Sequence, residues 1–230
     1  MKMPVPQGLT RSRPSARGAL RVAGVDGCRG GWVVAHDRGA YVTPTFASLL
    51  EIFDVIGVDM PIGLPSSWGR LADAQARRFL ASRSSTIFPT PPRDLVGHRG
   101  YAEANRDARA RHGKGLTQQT FNLFPKIREI DALMTPALAD RVVEIHPECA
   151  FVRLTGRPLA PKRTAEGRDD RRAALEAVFG PLHRPPRTPE HDVFDAYAVL
   201  WSARRFAAGV AETFGAGERD EHGLPMRIVS

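Results

Sequence analysis

The feature that most constrains this chain is a stretch near its start in which one aspartate separates an apolar run from a glycine-rich turn. Residues 22–25 are apolar and partly β-branched, which is typical of a buried strand. Three glycines in residues 27–31 allow a tight turn, and residues 32–35 predict a second strand running back beside the first. Asp26 would then end a core strand. There it either hydrogen-bonds the amides of its own turn or takes part in function, because an isolated buried charge is costly.

A second segment, residues 55–65, repeats this pattern. Its apolar run ends at Asp59, and Pro61 prevents regular strand pairing immediately afterwards. If the two strands are parallel and adjacent, both aspartates point to the crevice outside their carboxyl ends, where ligands of open α/β sheets bind. Two carboxylates so close would repel each other, and one would keep a proton unless a divalent cation lay between them. The repeated pattern therefore predicts a cation site.

Length and composition favour one α/β domain over residues 21–230, since 230 residues with 42% hydrophobic content can bury a sizeable core. The segment at about 66–140 contains helical patterns and proline-rich loops but no convincing strand, so we interpret it as a mostly helical insertion over the carboxyl edge of the sheet. No apolar run approaches the roughly 20 residues that cross a bilayer, so no membrane partner is expected.

The net charge of +8 is concentrated near the amino terminus. Residues 26–230 carry 28 basic and 25 acidic side chains, a net of +3, which argues against strong non-specific DNA binding by the folded body. Residues 1–20 mix Pro, Ser, Gly and Arg without apolar periodicity, and we predict a disordered basic extension there. The first 25 residues hold five basic side chains and no acid: Lys2, Arg11, Arg13, Arg17 and Arg21.

The two cysteines, Cys28 and Cys149, form no CxxC or metal-ligand spacing. We therefore expect free thiols in a cytoplasmic protein. A homodimer is compatible with the sequence, although no segment specifies one.

Further along the chain, alternating patterns predict strands and helices of a mixed sheet. Residues 142–145 predict a strand that contains Glu144, with Glu148 shortly after it. The last helix, residues 188–209, is apolar apart from Asp192 and Asp195 near its start. The helix dipole favours acids there, but an aspartate between Phe194 and Ala196 in a buried helix is harder to explain structurally. The remaining predictions are a strand at 40–46, a loop at 157–170, and helices at 47–54, 71–82, 101–112, 118–134 (broken near Pro125) and 170–179.

Two strand-end aspartates with acids on a late helix resemble the RNase H-like superfamily, and the spacing is similar to that of bacterial Holliday-junction resolvases. Residues 22–228 resemble more closely a bacterial family of unknown function, number four-two-nine, whose members are described as predicted RNase H-like nucleases. The matching motifs occur in the same order in this chain: VDGCRGGW, GVDMPIGLP, SRSSTIFPTPPR, GKGLTQQTFNLFPKIREID, VVEIHPE, PKRTAEGR and HDVFDAYA.

The resemblance implies an RNase H-like fold, that is, a mixed five-stranded sheet with flanking helices and a helical insertion. It also implies metal-dependent phosphodiester hydrolysis with Mg²⁺ or Mn²⁺, in which two ions about 4 Å apart act together. Asp26, Asp59 and Asp195 would be metal ligands. Where other members often have two adjacent acids at the helix entry, this chain has His191 and Asp192. The implied catalytic set is Asp26, Asp59, Asp192, Asp195, Glu144 and Glu148.

Basic and hydroxyl side chains in the motifs are candidates for binding the phosphate of nucleic acid or of a smaller phosphoester. Solvated loops would explain each of them equally well. The candidates are Arg83, Ser84, Ser85, Arg93, Lys114, Gln118, Lys126, Lys162 and Arg168.

Other functions remain open on the sequence. The acids could be structural or could bind a regulatory metal in a non-catalytic module, and the insertion could close a pocket around a small ligand or a small phosphorylated substrate. The hairpin is also similar to that of actin-like and sugar-kinase domains, in which the turn cradles ATP. Those proteins carry a second nucleotide-binding repeat, for which 230 residues leave little room.

Overall fold

The computed structural model describes residues 20–230, and it shows an α/β protein built on a five-stranded mixed sheet. The predicted extension at 1–20 lies outside the described residues, apart from Leu20. The strands of the sheet are β1 Val22–Cys28, β2 Gly31–His36, β3 Gly39–Thr43, β4 Val55–Val58 and β5 Val142–Glu144. Their order is β3-β2-β1-β4-β5; β1, β4 and β5 are parallel to one another, and β2 is antiparallel to both of its neighbours.

The described chain also contains eight α-helices, and most of them lie between β4 and β5 or after β5. They are α1 Leu49–Ile52, α2 Leu71–Leu80, α3 Tyr101–His112, α4 Gln118–Asn122, α5 Phe124–Asp131, α6 Pro147–Thr155, α7 Ala165–Phe179 and α8 Glu190–Ala207. Short 3₁₀ helices occupy Ala81–Thr86, Arg93–Leu95 and Pro136–Leu138, and a two-stranded sheet pairs β6 Thr213–Phe214 with β7 Ile228–Val229. Within residues 20–230, no helix has the length and apolar character needed to cross a membrane.

Local patterns predicted several elements correctly. The antiparallel hairpin and the parallel β4 strand are confirmed, and α3 has the predicted bounds. The predicted break near Pro125 falls at Leu123, where α4 ends and α5 begins with Pro125 in its first turn. Proline suits that position because its missing N–H would have no partner inside the helix.

Three elements differ from the sequence interpretation. The helix α6 was not predicted; it begins at Pro147 immediately after the histidine that follows β5. The helix α7 begins at Ala165, so the predicted loop is shorter than expected and Arg168 is helical. The cause is a cap: the Thr164 hydroxyl accepts a hydrogen bond from Gly167 N at 3.0 Å. The last helix, α8, begins at Glu190 with Pro189 as its N-cap, two residues after the predicted start at 188.

The two faces of the sheet are covered by different parts of the chain. Ala23, Val25 and Val58 on one face belong to a buried cluster with Phe124 and Ile127 of α5. On the other face, the strands belong to a second buried cluster with α8. Because side chains alternate along a strand, residues 22, 24 and 26 of β1 and residues 55, 57 and 59 at β4 all point toward α8.

Two glycines allow α8 to lie almost directly on the strands. Gly24 and Gly57 are paired across β1 and β4. A Cβ at Gly24 would lie 2.1 Å from Leu200 N and 2.2 Å from Ala196 O, and a Cβ at Gly57 would lie 3.0 Å from Ala203 Cβ. Any side chain at Gly24 would therefore collide with helix backbone. This close packing brings the amino-terminal part of α8 to the carboxyl ends of β1 and β4.

Gly24→Ala should lower the free energy of unfolding by more than about 2 kcal/mol. The new methyl group would collide with the backbone of α8, which could make room only by moving away from the strands. Urea denaturation of the purified variant measures the loss.

The control for this substitution is Gly97→Ala, at an exposed glycine whose added Cβ would meet nothing within 4 Å. Its stability should remain within about 0.5 kcal/mol of the parent protein. Equal stability of the two variants would show that α8 is not seated on Gly24.

Candidate active site

The strand register brings Asp26 and Asp59 to neighbouring positions at one end of the sheet. Val25 pairs with Val58, and the next backbone contact is a hydrogen bond of 2.9 Å from Asp59 N to Val25 O. Asp26 and Asp59 each follow one of these valines, so their side chains lie on the same face, toward α8. Asp26 is buried, with 8% of its surface exposed, and Asp59 is half-buried. The sequence correctly predicted that both aspartates lie at the carboxyl edge.

The helix α8 contributes a third carboxylate to the same place. Asp195 lies in the second turn of α8, immediately before Ala196, whose carbonyl approaches Gly24, and its side chain is 5% exposed. It lines one cavity together with Asp26 and Asp59. Asp192, one turn earlier, does not line the cavity, and its Oδ1 lies 3.1 Å from His191 Nε2. Asp192 is near enough to raise the pKa of Asp26.

Burial and mutual repulsion make it costly for Asp26 and Asp59 to be ionised. Burial is the main cause that raises the pKa of Asp26 well above its usual range, and Asp59 and Asp195 raise it further. Burial also raises the pKa of Asp59, and the Asp195 carboxylate adds to the effect. Within residues 20–230, no donor hydrogen-bonds to the carboxylate of either Asp26 or Asp59. The two acids therefore form an acidic centre to which no cation is hydrogen-bonded in the described residues.

Lys162 is the cation that comes nearest to this centre. Its Nζ donates to Asp195 Oδ2 at 2.7 Å from the loop before α7. Burial lowers the pKa of Lys162, but the carboxylates of Asp195, Asp59 and Asp26 outweigh it and hold that pKa above its ordinary value. The ammonium group is thus firmly charged. It pairs with Asp195 and leaves Asp26 and Asp59 without a hydrogen-bonded cation.

Glu144 and Glu148 differ from the aspartates because arginines neutralise them. Arg70 Nη2 donates to Glu144 Oε1 at 2.6 Å, and Ile62 N donates to Glu144 Oε2 at 2.8 Å. Arg171 Nη2 donates to Glu148 Oε1 at 2.5 Å. Burial still raises the pKa of Glu144, against the opposing effect of Arg70. These contacts hold β5 and α6 to the surrounding helices, so both glutamates line the cavity as paired, positioned groups.

The cavity measures about 520 Å³ and has two unlike walls. The carboxylates, His146 and Lys162 form the wall at the sheet edge. The segment between β4 and β5 forms the other wall, with Arg83, Phe88 and Lys126. This volume lies in the range of small-molecule sites.

Four predicted phosphate-binding residues line this cavity: Arg83, Ser85, Lys126 and Lys162. Arg83 Nη2 lies 3.7 Å from Glu148 Oε1. Lys126 Nζ donates to Gly31 O at 2.5 Å and lies 4.1 Å from the centre of the Trp32 ring. Three cationic side chains from different elements therefore line the same cavity as the aspartates.

The other five predicted phosphate-binding residues lie outside this cavity. The backbone carbonyl of Ser84 accepts a hydrogen bond from Ile87 N. Lys114 Nζ lies 5.5 Å from the centre of the Trp68 ring, and the Gln118 side chain donates to the Asn122 side chain. Arg168 donates to a backbone carbonyl of the preceding loop. The fifth, Arg93, is neutralised by acids from the carboxyl-terminal region and α5: Asp131, Asp220 and Glu221.

The chemistry of the donor set fits a hard divalent cation, since Asp26, Asp59 and Asp195 offer carboxylate oxygens, the ligands that Mg²⁺ prefers. In the described part of the chain, however, no group of three His, Cys, Asp or Glu side chains is arranged to hold a metal ion as it stands. The Lys162–Asp195 ion pair occupies one of the three acids. Binding would thus require Asp195 to exchange its lysine for the ion, or the ion to be held by Asp26 and Asp59.

Sequence patterns missed several residues on which the site depends. Arg70 precedes α2 and binds both Asp73 and Glu144, and its spacing of three from Asp73 was the available signal. Arg171 is buried inside α7, where a charged helix face would have been expected. Phe88 has 42% of its surface exposed although it lines the cavity, and the surrounding prolines concealed any pattern.

Comparison with protein families gave one match: a family described as a protein of unknown function, DUF429, whose profile aligns with residues 24–220. Searches of curated proteins and of solved structures gave no match.

Asp26→Asn and Asp59→Asn should each raise the free energy of unfolding by roughly 1–2 kcal/mol at pH 7 without divalent ions, because an amide removes an unpaired buried charge. The folded-state pKa of each acid lies above its ordinary value. Ionising the acid therefore lowers the free energy of unfolding of the parent protein, and the full loss applies above that folded-state pKa. The gain should shrink as the pH falls through it and vanish below about pH 4, where both states are protonated. Urea denaturation from pH 4 to 8 measures this dependence.

A matched substitution, Asp169→Asn, changes an acid whose side chain is 71% exposed and should shift stability by less than about 0.5 kcal/mol. A loss of stability in Asp26→Asn or Asp59→Asn at pH 7 would mean that the carboxylate is favourably paired in the folded protein.

Proposed function

We propose that this chain, which belongs to the DUF429 family of proteins of unknown function, is a metal-dependent phosphodiester hydrolase with an RNase H-like fold. The observation that carries the proposal is the convergence of Asp26, Asp59 and Asp195 on one cavity at the carboxyl edge of the sheet, where, among the described residues, only the third of these acids is hydrogen-bonded to a cation. Holding three acids together in a buried site costs free energy and adds nothing to packing, which favours a role in function.

The architecture is consistent with the proposal. The mixed five-stranded sheet, with one acid at the end of the first strand, one after the fourth and one on the last long helix, is the arrangement implied by the RNase H-like resemblance. A shared fold does not by itself determine the reaction. The carboxylates at the sheet edge therefore carry more weight than the sheet order.

Asp26 and Asp59 would hold the ion or ions, and Asp195 would join them on releasing Lys162. Bound Mg²⁺ or Mn²⁺ supplies Lewis-acid activation of water and neutralises charge on the leaving oxygen. In the balanced reaction, the oxygen of water forms a bond to phosphorus, the bond from phosphorus to the ester oxygen breaks, and the departing oxygen takes up a proton. A phosphomonoester and an alcohol result, and no protein nucleophile is needed.

Arg83, Lys126 and Lys162 would orient the substrate by binding the non-bridging phosphate oxygens. Lys162 is best placed for this role, because its Nζ already lies at the carboxylate edge and its side chain is 47% exposed. Glu144 and Glu148 would act as positioning residues. Their oxygens bind the guanidinium groups of Arg70 and Arg171, which holds β5 and α6 to the surrounding helices. His146 stays neutral, because burial lowers its pKa.

One observation favours a second function, a non-catalytic module that binds a metal or a small ligand. In the resting arrangement of residues 20–230, no three side chains form a ligand set, and Lys162 neutralises Asp195. A non-catalytic protein that binds a small ligand in the cavity would not need a set of metal ligands.

Mn²⁺ should bind the purified protein in a calorimetric titration, and Mn²⁺ or Mg²⁺ should support cleavage of phosphodiesters that EDTA abolishes. Asp59→Asn should weaken Mn²⁺ binding at least about tenfold and slow cleavage by about 10²-fold or more, because it removes one anionic ligand.

Asp169→Asn, at the exposed acid, is the control and should retain both properties. Cleavage that persists in EDTA, or in Asp59→Asn at the parental rate, would overturn the hydrolase proposal. Binding of Mn²⁺ without cleavage of any phosphodiester would favour the non-catalytic module.

Lys162→Met should increase Mn²⁺ affinity by about tenfold, because it removes a positive charge that competes for Asp195 and repels the ion. The same variant should cleave phosphodiesters more slowly, since the phosphate loses a cationic partner. Calorimetry and initial rates measure the two effects separately.

Arg163→Met removes an exposed charge from the adjacent position and should change neither property. Weaker Mn²⁺ binding in Lys162→Met than in the parent protein would contradict competition between the lysine and the ion.

A further inference from the structure

The cavity has a second chemical character that the carboxylates do not explain. Beside the charged groups, its lining includes four apolar side chains, Met60, Ile87, Phe88 and Leu123. Met60 and Ile87 are buried core residues, whereas 42% of the surface of Phe88 is exposed. An exposed aromatic ring at the wall of a cavity that also contains charged groups indicates a ligand that has an apolar, flat part.

The backbone on both sides of Phe88 is fixed. Arg77 donates two hydrogen bonds to Ile87 O, of 2.7 and 3.1 Å. Thr90 N donates to Asp73 Oδ2 at 2.9 Å, and Asp73 is itself held by Arg70. Phe88 is therefore presented to the cavity by an ordered segment. A preorganised aromatic surface loses little conformational entropy when a ring stacks on it.

The same network joins this aromatic wall to the carboxylate edge. Arg70 binds Asp73 with Nη2 at 2.7 Å and Glu144 with Nη2 at 2.6 Å, and it is almost fully buried. Asp73 fixes the segment that carries Phe88, and Glu144 belongs to β5 at the sheet edge. One buried arginine thus sets the relative position of the flat apolar surface and the charged centre.

The size and charge of the site favour a small substrate. The cavity of about 520 Å³ suits one small molecule, whereas a duplex presents grooves roughly 12 Å wide along an extended surface. Residues 26–230 carry a net charge of only +3, and proteins that hold duplexes rely on many phosphate contacts. The insertion supplies one wall of the cavity, so the carboxylates do not lie on an open face.

We propose that this cavity binds a single nucleotide unit, with its phosphoester at the edge formed by Asp26, Asp59 and Lys162 and its base stacked on Phe88. The reaction at that phosphoester rests on the proposed hydrolase function, but the binding of the base does not. The substrate class is a nucleotide-sized phosphodiester or the terminal nucleotide of a strand.

The test compares three substrates in the presence of Mg²⁺ or Mn²⁺. The p-nitrophenyl ester of thymidine 5′-monophosphate contains a base; water would release p-nitrophenol from its phosphorus and leave thymidine 5′-monophosphate. Methyl p-nitrophenyl phosphate lacks the base, and covalently closed circular plasmid offers only the interior of a duplex. The nucleotide ester should have the lowest KM, and the plasmid should remain closed.

Phe88→Leu keeps an apolar side chain but removes the ring, and it should raise KM for the nucleotide ester about tenfold more than KM for the methyl ester. Phe88→Tyr keeps the ring and should retain the parental KM. Val178→Ala alters an exposed apolar residue of α7 outside the cavity lining and should have no effect. In calorimetry with Mg²⁺, Phe88→Leu should bind thymidine 5′-monophosphate more weakly than the parent protein. Phe88→Tyr and Val178→Ala should bind it as tightly as the parent protein.

The outcomes separate this inference from the hydrolase proposal. Thymidine 5′-monophosphate binding that Phe88→Leu weakens, without hydrolysis of any ester, would support the nucleotide site and overturn the hydrolase. Nicking of the closed plasmid as fast as hydrolysis of the nucleotide ester would support the hydrolase and overturn the nucleotide site. Equal binding of thymidine 5′-monophosphate by Phe88→Leu and the parent protein would also overturn the placement of the base.

Discussion

The structure depends on the close contact between α8 and the two central strands. Gly24 and Gly57 leave no side chain between strand and helix, and Ala196, Val199 and Ala203 fill the space instead. Because of this contact, Asp195 lies at the carboxyl ends of β1 and β4 beside Asp26 and Asp59. A larger residue at Gly24 would move the helix, and the third carboxylate would move with it. Packing in the core therefore determines the geometry of the site.

The acids around the cavity fall into two electrostatic classes. Glu144 and Glu148 have buried guanidinium partners, and removing either partner would leave an unpaired buried charge. Asp26 and Asp59 have no such partner among the described residues, and burial and repulsion raise their pKa values. The first class holds the scaffold together. The second class leaves electrostatic strain at one point, which a cation from solution would relieve.

The helical segment between β4 and β5 converts an open sheet edge into a cavity. Its 3₁₀ turn and the residues that follow carry Arg83 and Phe88, and α5 carries Lys126. Arg93 binds Asp131 of α5 within the same segment and also binds Asp220 of the carboxyl-terminal region, which holds the wall in place from outside the cavity. Charged and aromatic groups therefore face the carboxylates from a wall that several ion pairs keep in place.

The sequence by itself determined the elements whose signals are local. Short apolar runs that end at Asp26 and Asp59 specified two strands and the sheet edge at which both acids lie, because a buried strand and its end are encoded within a few residues. The apolar helix around Asp195 was specified in the same way. Only the tertiary structure decided which charges are paired: Arg70 binds Glu144 across 74 residues, and Arg93 binds Asp220 across 127. Spacing along the chain carries no information about such partners, since they meet only after the sheet and its helices have packed.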